Sequence, residues 1–246
     1  MNSATDPDIE ALKTRFLETG FVHLARTTPM SSRELVDLAE TFGDLLMTER
    51  HTKEHKAVQI ISEEALFARD EVPWHNDWSY GTGNYVGTVL YNRRNAEIAP
   101  TYFVDMATAC AALPYGERDR LRDVVGHYFP PVDLQSTCFT PRQLRVLNRA
   151  RVSRPFVFDH PSTGRPVLYF SPGTLRNITN GEPDISSLTA HCEQFSWPHN
   201  WQPDDVLIYD NFRLMHRRPA FRGSRVLWRI QFAPSYPLSV TAQLAG

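Results

Sequence analysis

The apolar and polar positions of this chain fall into two textures. In the first fifty or so residues apolar positions recur at helical spacing. Ile9, Leu12, Phe16 and Leu17 are separated by charged residues, which predicts an amphipathic helix over residues 7–19. Asp6 is its candidate N-cap and Gly20 its stop. Residues 21–24 read as a short strand. Ser31-Ser32-Arg33-Glu34 resembles the capped start of a second helix, with Leu35, Leu38, Ala39 and Phe42 on its apolar face and Gly43 ending it.

From about residue 57 the periodicity shortens. Strands are predicted at 58–61, 85–91, 101–106, 167–170, 206–209 and 226–232, separated by turn residues. Residues 107–125 are helical in composition, with Pro114 and Gly116 as interruptions, and another helix is expected at 185–195. Residues 130–155 carry Arg, Pro and Gln with weak periodicity and read as a long loop or lid. Many short strands predict a mainly β sandwich or barrel with flanking helices, and the 18 prolines suit its loops. We expect one domain over 1–246, with a helical part at 1–56 and a β core at 57–246.

Composition narrows the function classes. The 246 residues are 41% hydrophobic and 22% charged, with a formal charge of −2, so no basic field exists for a nucleic-acid partner. Cys110, Cys138 and Cys192 have neither disulfide-framework nor zinc-site spacing and read as buried small hydrophobes. The N-terminus lacks a signal-peptide pattern and no stretch is long enough to span a membrane, so a cytoplasmic location is expected.

The candidate chemistry lies in Pro73-Trp74-His75-Asn76-Asp77-Trp78. On an extended segment His75 and Asp77 point to one face and can share a metal ion. His216 follows a later apolar run and is a candidate third ligand. Two imidazoles and one carboxylate leave three open octahedral positions, the arrangement of non-haem Fe(II) oxygenases. Two other histidine pairings are weaker. His191 and Glu193 sit in a predicted helix, where i and i+2 side chains diverge, and His51 and His55 lie among cations without the glutamate of a helical zinc motif. In the strand at 226–232 and the residue before it, Arg225, Leu227, Arg229 and Gln231 share one face, opposite Val226, Trp228, Ile230 and Phe232. If the arginine face is buried, it needs anions.

Trp74 to Asp77, Thr101 opening a strand, His160-Pro161-Ser162-Thr163-Gly164-Arg165, Asp205 to His216 and the Arg225/Arg229 pair come in the order seen in the taurine dioxygenase (TauD/TfdA-like) family. The chain resembles that family over residues 74–229. The resemblance implies a double-stranded β-helix (jelly roll, cupin-like) core and an enzyme using Fe(II), 2-oxoglutarate as co-substrate and O2. It matches His75, Asp77 and His216 to the iron ligands, Arg225 to the arginine on the distal carboxylate of 2-oxoglutarate, and Thr101 to its hydroxyl partner. Arg229 matches a second arginine that lies near substrate in several members, and exchanged roles for the two arginines stay open. The carboxylate of Asp77 favours oxygen insertion or desaturation over halogenation. Trp78, Tyr80, Asn84 and Arg229 are candidates for the substrate wall, and an arginine there favours a small anionic substrate such as an amino acid or other organic acid. A homo-oligomer is possible. The rivals are a zinc hydrolase on the same three residues and a barrel that binds a metal or small acid without turnover.

Overall fold

Asp8 caps the first helix, α1 (Ile9–Thr19), by accepting from the backbone N–H groups of Glu10 and Ala11. The computed structural model describes residues 8–47, 51–64, 67–81, 87–130 and 152–234, so the expected cap Asp6 lies outside the described residues. Gly20 ends the helix in the left-handed region, at φ 71°, with its N–H on the Phe16 carbonyl. The chain continues through β1 (Phe21–Leu24), α2 (Ser32–Glu40), β2 (Gly43–Leu45), β3 (Gln59–Ser62), β4 (Val72–His75), β5 (Gly87–Arg94) and β6 (Thr101–Asp105). It then forms α3 (Met106–Ala112), α4 (Tyr115–Asp123), β7 (Val125–Tyr128), β8 (Val152–Pro155), β9 (Val157–Asp159), β10 (Pro166–Leu168) and β11 (Leu175–Thr179). The last elements are α5 (Ile185–Glu193), β12 (Ser196–His199), β13 (Val206–Asp210), β14 (Leu214–Arg218) and β15 (Val226–Pro234).

Two antiparallel sheets carry the architecture. The larger runs β1-β13-β5-β15-β2, with β3 also paired to β15, and the smaller runs β12-β6-β14-β4. Period-two alternation sorts their side chains into three layers. Leu90, Leu207, Tyr209 and Leu227 of the large sheet meet Phe103 and Leu214 of the small one in the core between them. Val89, Val206, Ile208, Ile230 and Phe232 point the other way, under Phe16 of α1 and Leu35, Val36 and Ala39 of α2. Val104 and Met215 of the small sheet pack outward against residues of α3, α4 and α5. The mainly β, jelly-roll expectation with flanking helices is therefore met. No helix among the described residues is long and apolar enough to cross a membrane.

Several boundaries differ from the sequence reading. Ser31 and Glu34 do form a reciprocal capping box on α2, but the helix ends at Glu40 and Gly43 opens a strand instead of stopping the helix. Pro114 separates α3 from α4, whereas Gly116 lies in the first turn of α4 without breaking it. Of the expected loop at 130–155, residues 131–151 lie outside the described residues, and Val152–Pro155 is a strand paired with β7. Its alternation is masked because the buried Arg154 occupies an inward position, its guanidinium over the Phe212 and Tyr169 rings. Cys110 and Cys192 are buried as expected, and Cys138 lies outside the described residues. His51 and His55 lie in a loop, each with an Nδ1 bound to nearby backbone. His191 and Glu193 diverge as anticipated, the first to the Ala109 carbonyl and the second to the Trp74 indole.

Candidate metal centre

β4 and β14 are neighbours, and their register sets His75 directly opposite His216. Both side chains therefore point to the inner face, with ring centroids 4.3 Å apart. Past the end of β4 the chain turns, and Asp77 folds back so that its Oδ1 lies 3.6 Å from His75 Nε2. The ligating atoms of His75, Asp77 and His216 all lie within 4.8 Å of one another, so the structure brings the three predicted residues into one cluster.

Each candidate ligand is oriented by a group behind it. His75 Nδ1 donates to the Pro73 carbonyl at 2.8 Å and His216 Nδ1 faces the Leu214 carbonyl at 3.4 Å. A carbonyl accepts only, so Nδ1 carries the proton and Nε2 presents a lone pair to the centre. Burial, reinforced by the adjacent His75, pushes the His216 value down to about 3, which keeps that lone pair free at neutral pH. The Tyr209 hydroxyl lies 3.4 Å from His216 Nε2. Burial by itself raises the Asp77 carboxyl, but its neighbours, the Arg229 guanidinium first among them, outweigh it and hold it well below the usual carboxylate range.

The turn that carries Asp77 is fixed by residues that sequence reasoning missed. Asn211 accepts from the Asp77 N–H and donates to the Asp77 carbonyl, both at 2.8 Å. Asn76 is buried and donates to the Asn211 and Leu214 carbonyls. Trp78 follows at φ 55°, a strained conformation for a bulky residue, and its indole N–H donates to Gln231 at 2.9 Å. Only the sequence Asp210-Asn211 beside the strand end hinted at these contacts, since they run through backbone groups.

The cluster opens on a cavity of about 430 Å³ lined also by Thr101, Trp78, Tyr80, Arg225 and Arg229. The two arginines differ in what they touch. Arg229 donates to Asp77 Oδ2 at 2.8 Å and twice to Gln59 Oε1. Arg225 is buried, yet among the described residues its Nε and Nη2 have no hydrogen-bond partner. Burial, with Arg218 nearby, pulls its value down to about 9. A desolvated, unpartnered guanidinium in a cavity wall is complementary to a carboxylate. The donor set and this unsatisfied cation fit a divalent metal with a chelating dicarboxylate. Thr101 Oγ1 accepts from the Trp201 indole at 3.0 Å and stays on the cavity wall. Asn84 lies outside the described residues. His160 of the matched Pro-Ser-Thr-Gly-Arg segment is buried, with Nε2 2.9 Å from Asp210 Oδ2, one residue before Asn211.

The family described as taurine catabolism dioxygenase TauD, TfdA family, matches residues 1–231. The chain belongs to this family, and thereby to the Fe(II)- and 2-oxoglutarate-dependent oxygenases, whose members use Fe(II) with 2-oxoglutarate and O2. It is 24% identical over 216 residues to the alpha-ketoglutarate-dependent 2,4-dichlorophenoxyacetate dioxygenase of Cupriavidus pinatubonensis, covering 82% of this chain and 70% of that protein. It is 31% identical over 74 residues to pentalenolactone F synthase of Streptomyces arenae, a match of 27% of this chain and 25% of that protein. Its fold is that of AAD-2, solved in complex with Mn(II) and N-oxalylglycine, with a TM-score of 0.75 at 20% identity over 96% of this chain and 91% of that one.

Proposed function

We propose that this chain, as one oxygenase domain, hydroxylates a C–H bond of a small organic acid, with His75, Asp77 and His216 holding Fe(II). The observation that carries the reading is the buried Arg225 guanidinium, unpartnered at Nε and Nη2 among the described residues, in the wall of the cavity that contains the three ligands. Arg225 takes the distal carboxylate of 2-oxoglutarate through a charge-assisted pair, and Thr101 adds a hydroxyl beside it. N-oxalylglycine, which is bound to AAD-2, has the same pair of carboxylates. Bound at the centre, Fe(II) and 2-oxoglutarate supply activation of O2 and the oxidising power, with succinate and CO2 as co-products.

The protein's contribution is positioning and charge. The two oxygens of Asp77 divide their work, Oδ2 taking Arg229 while Oδ1 faces the imidazoles, so Arg229 orients the ligand. Among the described residues lining the cavity, Arg176, Arg217, Arg218, Arg225 and Arg229 stand against one acid, Asp77. That excess exceeds what a single 2-oxoglutarate needs and supports an anionic substrate. Trp78 and Tyr80, with ring centroids 5.7 Å apart, form an aromatic wall that excludes water from the reacting carbon.

The test is succinate release by anaerobically purified protein given Fe(II), 2-oxoglutarate and O2, across a panel of amino acids and other organic acids. Stimulation by one member, abolished in His75→Ala and Arg225→Ala, is the expected result. Wild-type protein that binds neither Fe(II) nor 2-oxoglutarate and forms no succinate overturns the reading.

A further inference from the structure

A second group of metal-type donors lies outside the cavity. His23 of β1, His199 at the end of β12 and Asp205 just before β13 have ligating atoms within 4.8 Å of one another. His23 Nε2 is 2.9 Å from Asp205 Oδ1, His199 Nε2 is 3.2 Å from Asp205 Oδ2, and the two rings are 4.9 Å apart. We propose that these three residues form a second cation site, which takes a divalent first-row metal ion, with zinc the best match to its donors.

Three observations carry this. The first is a buried carboxylate between two imidazoles. Asp205 is fully buried, and its ion-pair partners among the described residues are the two imidazoles. A buried carboxylate is ordinarily paired with a cation or bound to a metal. The second is an orphaned donor. His199 is nine-tenths buried, and its Nε2 lies beside the carboxylate without the alignment of a hydrogen bond. A lone pair directed at a shared metal does not need that alignment. The third is support and access. The Gln202 N–H donates to Asp205 Oδ2 at 2.7 Å and fixes the carboxylate plane, while the His23 side chain is 34% exposed and gives solvent an approach.

The donor separations suit the ion. Ligand atoms about 2.0–2.2 Å from a tetrahedral zinc ion lie roughly 3.3–3.6 Å apart; each imidazole here faces a different oxygen of the carboxylate, His199 at 3.2 Å, close to that spacing, and His23 at the hydrogen-bond distance of 2.9 Å, which widens on binding. One carboxylate and two imidazoles leave room for water on the open His23 side. Position gives the site a role. β1 is an edge of the large sheet and β12 an edge of the small one, so a metal held by His23, His199 and Asp205 ties the two edges together. The His199 ring lies 4.8 Å from that of Trp201, whose indole donates to Thr101 in the cavity wall. Occupancy therefore braces the wall from behind.

The test removes the cavity site first. His75→Ala/His216→Ala protein is loaded with zinc, desalted and measured for metal content, alone and with His23→Gln added. The expected result is one retained equivalent, lost with His23→Gln, and a zinc-induced rise in melting temperature that disappears with it. If the double variant does not fold, wild type is compared with His23→Gln alone, with two equivalents expected against one. Folded protein that retains no zinc beyond the cavity site overturns the proposal and leaves the cluster a hydrogen-bonded staple. Because the readout is stoichiometry at residues remote from turnover, its failure leaves the oxygenase reading intact.

Discussion

Replacing Arg225 with methionine should stabilise the metal-free protein while destroying its hold on 2-oxoglutarate. The guanidinium is buried, lacks partners at Nε and Nη2 among the described residues, and burial pulls its value from the ordinary arginine range down to about 9. That interval corresponds to at most ~5 kcal/mol of penalty on the charged form. By linkage the unfolded chain binds the proton more tightly, so the penalty acts in full below pH 9 and fades as pH rises towards the ordinary value. Recovering a fifth of it raises the melting temperature by about 2–4 °C in a chain of this size. Methionine fills similar volume without the charge. The opposite effect appears with ligand, because truncating one partner of a buried charge pair costs about 2–5 kcal/mol. That is a roughly 30- to 5,000-fold rise in the concentration of 2-oxoglutarate needed. Thermal melts with and without N-oxalylglycine, in the presence of Mn(II), read both signs in one experiment. A variant that melts lower than wild type without ligand and keeps its ligand-induced shift would show the guanidinium to be a structural group and refute the reasoning.

Arg229→Gln should behave differently from Arg225→Met: metal affinity falls about 10–100-fold through the loosened Asp77 carboxylate, while the dependence on 2-oxoglutarate, measured at saturating metal, changes little. Asp105 accepts two hydrogen bonds from Arg213 and one from Thr108, which outweigh the upward push of burial and hold its carboxyl below 3.8. A carboxyl lowered in the folded state stabilises above its unfolded value and loses that contribution as pH falls through the folded value, so the urea midpoint should drop between pH 7 and pH 3 and drop less in Asp105→Asn. Gly87→Ala places a Cβ within 1.9–2.5 Å of the buried Phe232 ring and should cost about 1–3 kcal/mol by overpacking, seen as an earlier denaturant midpoint at unchanged slope.

The readable parts of this chain were those whose two faces differ in polarity or are both apolar. β5, β13 and β15 announce themselves because Val89, Val206, Ile208 and Ile230 all go under the helices. β4, β7, β11, β12 and β14 did not, since the sequences VPWH, VGHY, LRNIT, SWPH and LMHRR place His, Arg and Pro at strand positions. Arg217 of β14 shows why such strands persist: its guanidinium lies over the Tyr102 ring at 4.3 Å and the Trp74 ring at 5.2 Å, so a charged residue packs as an aromatic-facing plate. The same distinction runs through the site. His75 and Asp77 were legible as a pair because they stand two residues apart, and the arginine face of β15 because it alternates. Asn211, Asn76 and Gln59 were not, because they act on the site through backbone contacts or through another side chain, and no spacing rule records those.

Arg229 lies between these cases, and its contacts sharpen the argument about substrate. From sequence it is a cation on the cavity face and thus a candidate for a substrate anion. In the fold two of its nitrogens are taken by Gln59 Oε1 and the third by Asp77 Oδ2. Its charge is therefore already matched by the one acid of the described cavity lining, and what remains to attract an anion is the surplus on Arg176, Arg217, Arg218 and Arg225. Arg218 is spent on the Pro219 and Asp70 carbonyls, and Arg217 on its rings and on Glu71, 3.8 Å away. On the proposed reading, with Arg225 taken by 2-oxoglutarate, the exposed Arg176 of β11, whose Nη1 donates to the neighbouring Gly173 and Leu175 carbonyls, is the guanidinium best placed to meet a substrate carboxylate. On the proposed reading, an anionic substrate meets Arg176 at the cavity wall, while Arg229 serves Asp77.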